Sequence, residues 1–158
     1  MNKTGKTGES VDYENELWSV NPQEQVDFRA SVARLQAEEA ACRHQLASCS
    51  DAGRRALLLN RLGQLLYGQV RFDEASAAYT EALSEDPHLA AAAHNRATIS
   101  YRMGYLAEAE RDLLAAQRLQ PDNVEVATGL AEVRRLLVAG GSAGRRDRSA
   151  RGPVAVED

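Results

Sequence analysis

The sequence predicts an all-α protein: antiparallel helical hairpins stacked as a solenoid. Three observations carry that expectation. "RFDEASAAYTEALSEDP", from Arg71 to Pro87, has an echo in "LAEAERDLLAAQRLQP", from Leu106 to Pro121, with Ala75/Ala109, Ala82/Ala116 and Pro87/Pro121 each 34 residues apart. Apolar residues elsewhere recur at helical spacing, with no run of strand-like alternation. The composition is 44% hydrophobic but only 5% aromatic, and rich in alanine, which suits close-packed helices better than sheets.

Taken in order, residues 1–21 are polar and patternless apart from Trp18, and are expected to form a disordered leader. A lone tryptophan there reads as a docking residue, for its own chain or for a partner. From Pro22 to about Ser48 the pattern turns helical, with Phe28, Val32, Leu35, Cys42 and Leu46 as a stripe that Glu39 interrupts. "SCSDAG" then breaks the helix. Arg55 to Gly68 carries Leu58, Leu59, Leu62, Leu65 and Leu66, and the next helix places Ala75, Ala78, Tyr79, Ala82 and Leu83 on one face. The pair returns as Leu89–Met103 and Leu106–Leu119. A final helix spans about Asn123 to Ala139, with Val126, Leu130, Val133 and Leu137 as its stripe. From Gly140 the chain is Gly, Ser and Arg, and is expected to be a flexible tail.

The 34-residue period explains which positions are kept. One helix pair cannot bury its own apolar face, so neighbours stack and each unit reuses the same contact sites. Small residues belong where backbones approach: Gly63 and Ala97 on the first helix, Ala75/Ala109 and Ala82/Ala116 on the second. Leu62, Phe72/Leu106 and Tyr79/Leu113 fill the spaces between. Each unit ends at a proline, because the residue before a proline avoids helical geometry.

At Leu59, Leu62-Gly63, Leu66, Phe72, Ala75, Tyr79, Ala82 and Pro87 the chain resembles the tetratricopeptide repeat. A second unit matches at Ala97, Leu106, Ala109, Leu113, Ala116 and Pro121, and departs at Ala93 and Ser100, where larger side chains are common. A third begins at Val124 and keeps Ala127, Leu130 and Ala131. The resemblance implies repeats over 56–89 and 90–123, a capping helix or partial third repeat over 124–139, and a tail over 140–158. Residues 22–54 then supply a helix or a degenerate repeat, since "AEEAACRHQLA" resembles a second helix with Ala40 and Ala47 at the small sites.

The resemblance also implies a concave groove lined by the first helix of each unit. Its expected contact residues are Asn60, Gln64 and Tyr67, then His94, Asn95, Thr98, Tyr101 and Arg102, then Thr128, Glu132 and Arg135. Amides suit a peptide backbone, and tyrosine offers apolar area with a hydroxyl. Some family members clamp the acidic tails of Hsp70/Hsp90 chaperones with a Lys, two Asn, then a Lys and an Arg. The matching positions here are Asn60, Gln64, Asn95, Glu125 and Gly129, of which only Asn95 fits, so carboxylate-clamp binding is not expected.

Other classes find little support. A net charge of −4 gives no general attraction to nucleic acid or anionic membrane, and no stretch approaches the roughly 20 apolar residues of a spanning helix. "TGKTGES" contains Gly-Lys-Thr but lacks the preceding glycine and strand of a phosphate loop. Cys42, His44 and Cys49 fit no tetrahedral metal spacing, and the two cysteines are expected to stay reduced, as in the cytoplasm. "RRDRS" at Arg145–Ser149 makes a weak basic patch. The expectation is a non-enzymatic module, without cofactor or metal, that binds a peptide or helix of a partner protein. A small secretion-type chaperone and a structural subunit of a larger assembly are the alternatives.

Overall fold

In the computed structural model, residues 22–140 are described; Trp18, the leader and the tail from Gly141 lie outside them. Six helices follow one another: α1 (Pro22–Ser48), α2 (Ala52–Gly68), α3 (Phe72–Glu85), α4 (Ala90–Arg102), α5 (Leu106–Leu119) and α6 (Val124–Ala139). No strand occurs among the described residues. The fold is all-α, a series of antiparallel hairpins. No described helix is long and apolar enough to cross a membrane.

The chain divides into two compact units between Arg34 and Leu35, although α1 runs on as one helix. In the first unit Phe28, the leading member of the apolar stripe, is exposed. The second unit starts with the C-terminal half of α1. There Cys42 is buried among Leu59, Leu62 and Leu66, and Leu35 and Leu46 pack against the same cluster.

Glu39 does not interrupt this seam; it belongs to it. It lies one turn from both Leu35 and Cys42, and is 8% exposed. Its carboxylate accepts hydrogen bonds from Arg71 Nη1 (2.7 Å), Gln69 Nε2 (2.8 Å) and Arg43 Nε (2.9 Å). Burying a carboxylate is costly without such partners. Here three donors, two of them on the α2–α3 turn, tie α1 to the first hairpin. Arg55 makes a second tie: it donates to Leu46 O and Cys49 O and pairs with Glu85 at 3.0 Å.

Each helix starts and stops for local reasons. The Asp51 side chain accepts from Arg54 N at 2.7 Å to cap α2, and Asn123 accepts from Glu125 N and Val126 N to cap α6. Between α2 and α3, Val70 N bonds to Tyr67 O and Arg71 N to Leu66 O. The α4–α5 turn repeats both bonds with Gly104 N to Tyr101 O and Tyr105 N to Ser100 O.

The small sites do what the period requires. Ala75, Ala82, Ala109 and Ala116 are fully buried, and Ala97 is 1% exposed. Gly63 lies under the Tyr79 ring, and a Cβ there would collide with the ring carbons. Burial pushes the Tyr79 hydroxyl up to about 12, with the nearby Tyr67 adding to the effect. Ala93 and Ser100, smaller than the pattern favours, are buried as well. Helix α4 divides the core: Ala92 and Ile99 join the first cluster, while Ala93 and Ala97 join the second with Leu113, Val126, Leu130 and Val133.

Candidate functional site

Helices α2, α4 and α6, the first helices of successive units, share one side of the second unit. Across α2 and α4, Asn95 Nδ2 donates to Asn60 Oδ1 at 3.1 Å. That bond uses one N–H of Asn95 and the carbonyl of Asn60. The Asn60 amide nitrogen is left as a donor and the Asn95 carbonyl as an acceptor, the two kinds of group that a peptide unit needs. At the far end of the same seam the Arg102 guanidinium stands over the Tyr67 ring, 5.3 Å from its centroid. Tyr67 is itself half-buried against Phe72, with ring centroids 5.3 Å apart. Gln64 is exposed between these two contacts.

Across α4 and α6 the surface opens into a cleft of about 270 Å³. His94, Thr98 and Tyr101 line it from α4, one turn apart, and Thr128, Gly129 and Glu132 from α6. Ala97, Leu113 and Val133 form an apolar floor. Thr98 donates its hydroxyl to His94 O at 3.1 Å, so that donor is spent within α4. Glu132 in this lining is held by Arg135 through two bonds of 2.7 and 2.8 Å. This pairing keeps the Glu132 carboxyl below its usual value. Glu125 lies exposed in the first turn of α6.

The opposite side of α4 carries a structural pair instead. Arg96 meets Asp112 through two bonds of 2.7 Å and donates to Thr80 at 3.0 Å, linking α3, α4 and α5. Among the described residues no group of three or more His, Cys, Asp or Glu could hold a metal. Cys42 and Cys49 are free thiols, and Cys42 Sγ donates to Leu58 O at 3.3 Å.

The sequence model of the tetratricopeptide repeat matches residues 56–89, the span of α2 and α3. Over those residues the chain is similar to a tetratricopeptide repeat. Two solved tetratricopeptide domains share its fold. The first such domain of Spaghetti (RPAP3), bound to the HSP90 peptide SRMEEVD, superimposes with a TM-score of 0.62 at 15% identity, covering 73% of this chain and 89% of that one. The second domain of human RPAP3, in complex with the HSP70 peptide SGPTIEEVD, gives 0.58 at 20% identity, covering 71% and 91%. At such identities the likeness is one of fold. No curated protein sequence matches the chain closely enough to count as a relative.

On the tetratricopeptide frame, the eleven residues read from sequence fall into separate groups. Asn60 and Asn95 meet, Tyr67 and Arg102 meet, and His94, Thr98, Tyr101, Thr128 and Glu132 share the cleft, with Arg135 bound to Glu132. Gln64 makes no part of any of these. Sequence reasoning missed the cleft itself, above all Gly129 in its lining. Its signal was present: a glycine in the middle of an otherwise helix-favouring "VEVATGLAEVRRLLVA".

Proposed function

We propose that the chain is a non-enzymatic interaction module that takes up an extended peptide of a partner protein along α2, α4 and α6. The Asn60–Asn95 pair carries this reading. Two half-buried amides, bonded to one another across adjacent first helices, present a fixed donor and acceptor beside an open apolar cleft. An extended backbone satisfies both amide groups, and its side chains then reach the cleft. Solved domains of this fold hold peptides, as their names state. The free thiols support a reducing compartment such as the cytoplasm.

Acidic chaperone tails are not the proposed ligands. The clamp positions carry Asn60, Gln64, Asn95, Glu125 and Gly129, so a like charge faces the tail at Glu125 and no cation replaces those of the third helix. Titration with SRMEEVD is expected to show no saturable binding; binding that saturates would reverse this part of the proposal.

The peptide reading is tested by the double variant Asn95→Ala with Tyr101→Ala, both on α4 and neither in the core. Tyr67 is a poorer choice because it packs on Phe72. The variant should keep its far-UV helicity and lose peptide ligands selected on the wild-type chain. Undiminished capture would remove the groove from consideration.

A further inference from the structure

We propose that the α4–α6 cleft is a one-side-chain pocket, and that the peptide it selects pairs an aliphatic or aromatic residue with an acidic residue about three positions away. The proposal rests on the reading that this face takes an extended peptide. Three observations support it.

The first is size and lining. At about 270 Å³ the cleft falls below the roughly 300–1,000 Å³ of small-molecule sites. Its floor is apolar, and the one carboxylate in its lining is already neutralised by Arg135. Such a space accepts a single apolar side chain and rejects a charged one.

The second is Gly129. At Gly63 the Tyr79 ring forbids any side chain, so packing explains that glycine. At Gly129 a Cβ would meet only Leu113 Cδ2 at 3.5 Å and Cδ1 at 3.6 Å, ordinary contact distances. Packing therefore does not demand glycine here, although glycine is the poorest residue other than proline inside a helix. What its missing side chain provides is the opening above Leu113.

The third is charge. Among the described residues Arg102 has no carboxylate partner; it rests on Tyr67, with its charge available at the surface. Arg135, by contrast, is spent on Glu132. Tyr101 and Arg102 are neighbours on α4, one lining the α4–α6 cleft and the other leaning over α2. The two seams are thus about one helix diameter apart, ~10 Å, which an extended chain crosses in about three residues.

The test is selection of a phage-displayed random peptide library on the full chain, followed by titration of synthetic copies of the selected sequences. Asp or Glu should appear about three positions from Leu, Ile, Met or Phe. Gly129→Leu, which fills the opening, should weaken the selected peptides by about ten-fold or more. Thr128→Leu, on an exposed position of α6, should do the same and guards against a folding defect in the first variant. Repeating the selection on Arg102→Glu should exchange the acidic preference for Lys or Arg. Peptides indifferent to both cleft variants would overturn the pocket. The peptide face itself would stand if Asn95→Ala with Tyr101→Ala still weakened them, and would fall with the pocket if it did not. Failure to select any peptide counts against both. Two other occupants would also overturn the proposal. Concentration-dependent sedimentation abolished by Gly129→Leu would give the cleft to a second copy. Selection that succeeds only on a chain ending at Gly140 would give it to residues 141–158.

Discussion

Val70 and Gly104 occupy the same place in successive hairpin turns, with φ of 62° and 79°. The left-handed region costs an ordinary residue about 1–2 kcal/mol, and glycine returns about 0.5–1 kcal/mol of that through its freer unfolded chain. Val70 is 70% exposed and buries little. Val70→Gly is therefore expected to stabilise the fold by about 0.5–1 kcal/mol in urea unfolding; a loss of stability would show that the valine packs in a way its exposure hides. Gly63 is the opposite case. Gly63→Ala forces a methyl into the fully buried Tyr79 ring, and is expected to cost about 1–3 kcal/mol. An unchanged melting temperature would contradict the packing of α2 on α3. Both glycines were visible in the sequence as residue types. Only the folded structure distinguishes one required by a ring, one favoured by φ, and one, Gly129, required by neither.

The least legible element was α1. Its apolar stripe was read from spacing, and Leu35, Cys42 and Leu46 do pack on the first hairpin. The charged residue in that stripe looked like a flaw because its partners, Gln69 and Arg71, lie 30 and 32 residues away. Burial pushes Glu39 up, but hydrogen bonds from Gln69 and Arg43 and the charges of Arg71 and Arg43 outweigh it, so its carboxyl titrates below the ordinary value. The sign of the linkage follows. A folded-state pKa below the unfolded value of about 4.3 gives stability that is present above that pH and is lost as pH falls through the folded value. Acid unfolding of the wild type should therefore steepen below about pH 4.3. Glu39→Gln should be less stable at neutral pH and flatter across that window. A parallel pH profile for the two proteins would remove the Glu39 network as the tie between α1 and the hairpin.

Among the described residues α6 is the last helix of the array. Gly63 is covered by Tyr79 and Ala97 is buried in the cluster of Leu113, but Ala131, another 34 residues on, is exposed because no further helix follows it among the described residues. Val124 and Val138 are exposed for the same reason. Helix α6 nonetheless closes the second core with Val126, Leu130 and Val133. A chain ending at Asp122 is expected to lower the melting temperature and to bind a hydrophobic dye such as ANS through uncovered Leu113 and Ala116. An unaltered melting curve would show that two hairpins and α1 suffice. The proposed groove residues were implied by the resemblance to the repeat, whose spacing sets them on first helices. It did not show that Asn60 bonds Asn95, that Tyr67 is partly consumed by Phe72, or that a cleft opens over Leu113.

By itself the sequence determined the hairpin unit, its period and its small-residue contacts. Helical spacing and side-chain size act locally and repeat along the chain, so they can be counted on paper. Tertiary structure alone decided which of the facing polar groups are spent on one another and where the surface stays open. Those outcomes depend on distances between residues 30 and more apart in sequence, and on whether a neighbouring ring or leucine fills the space above a glycine.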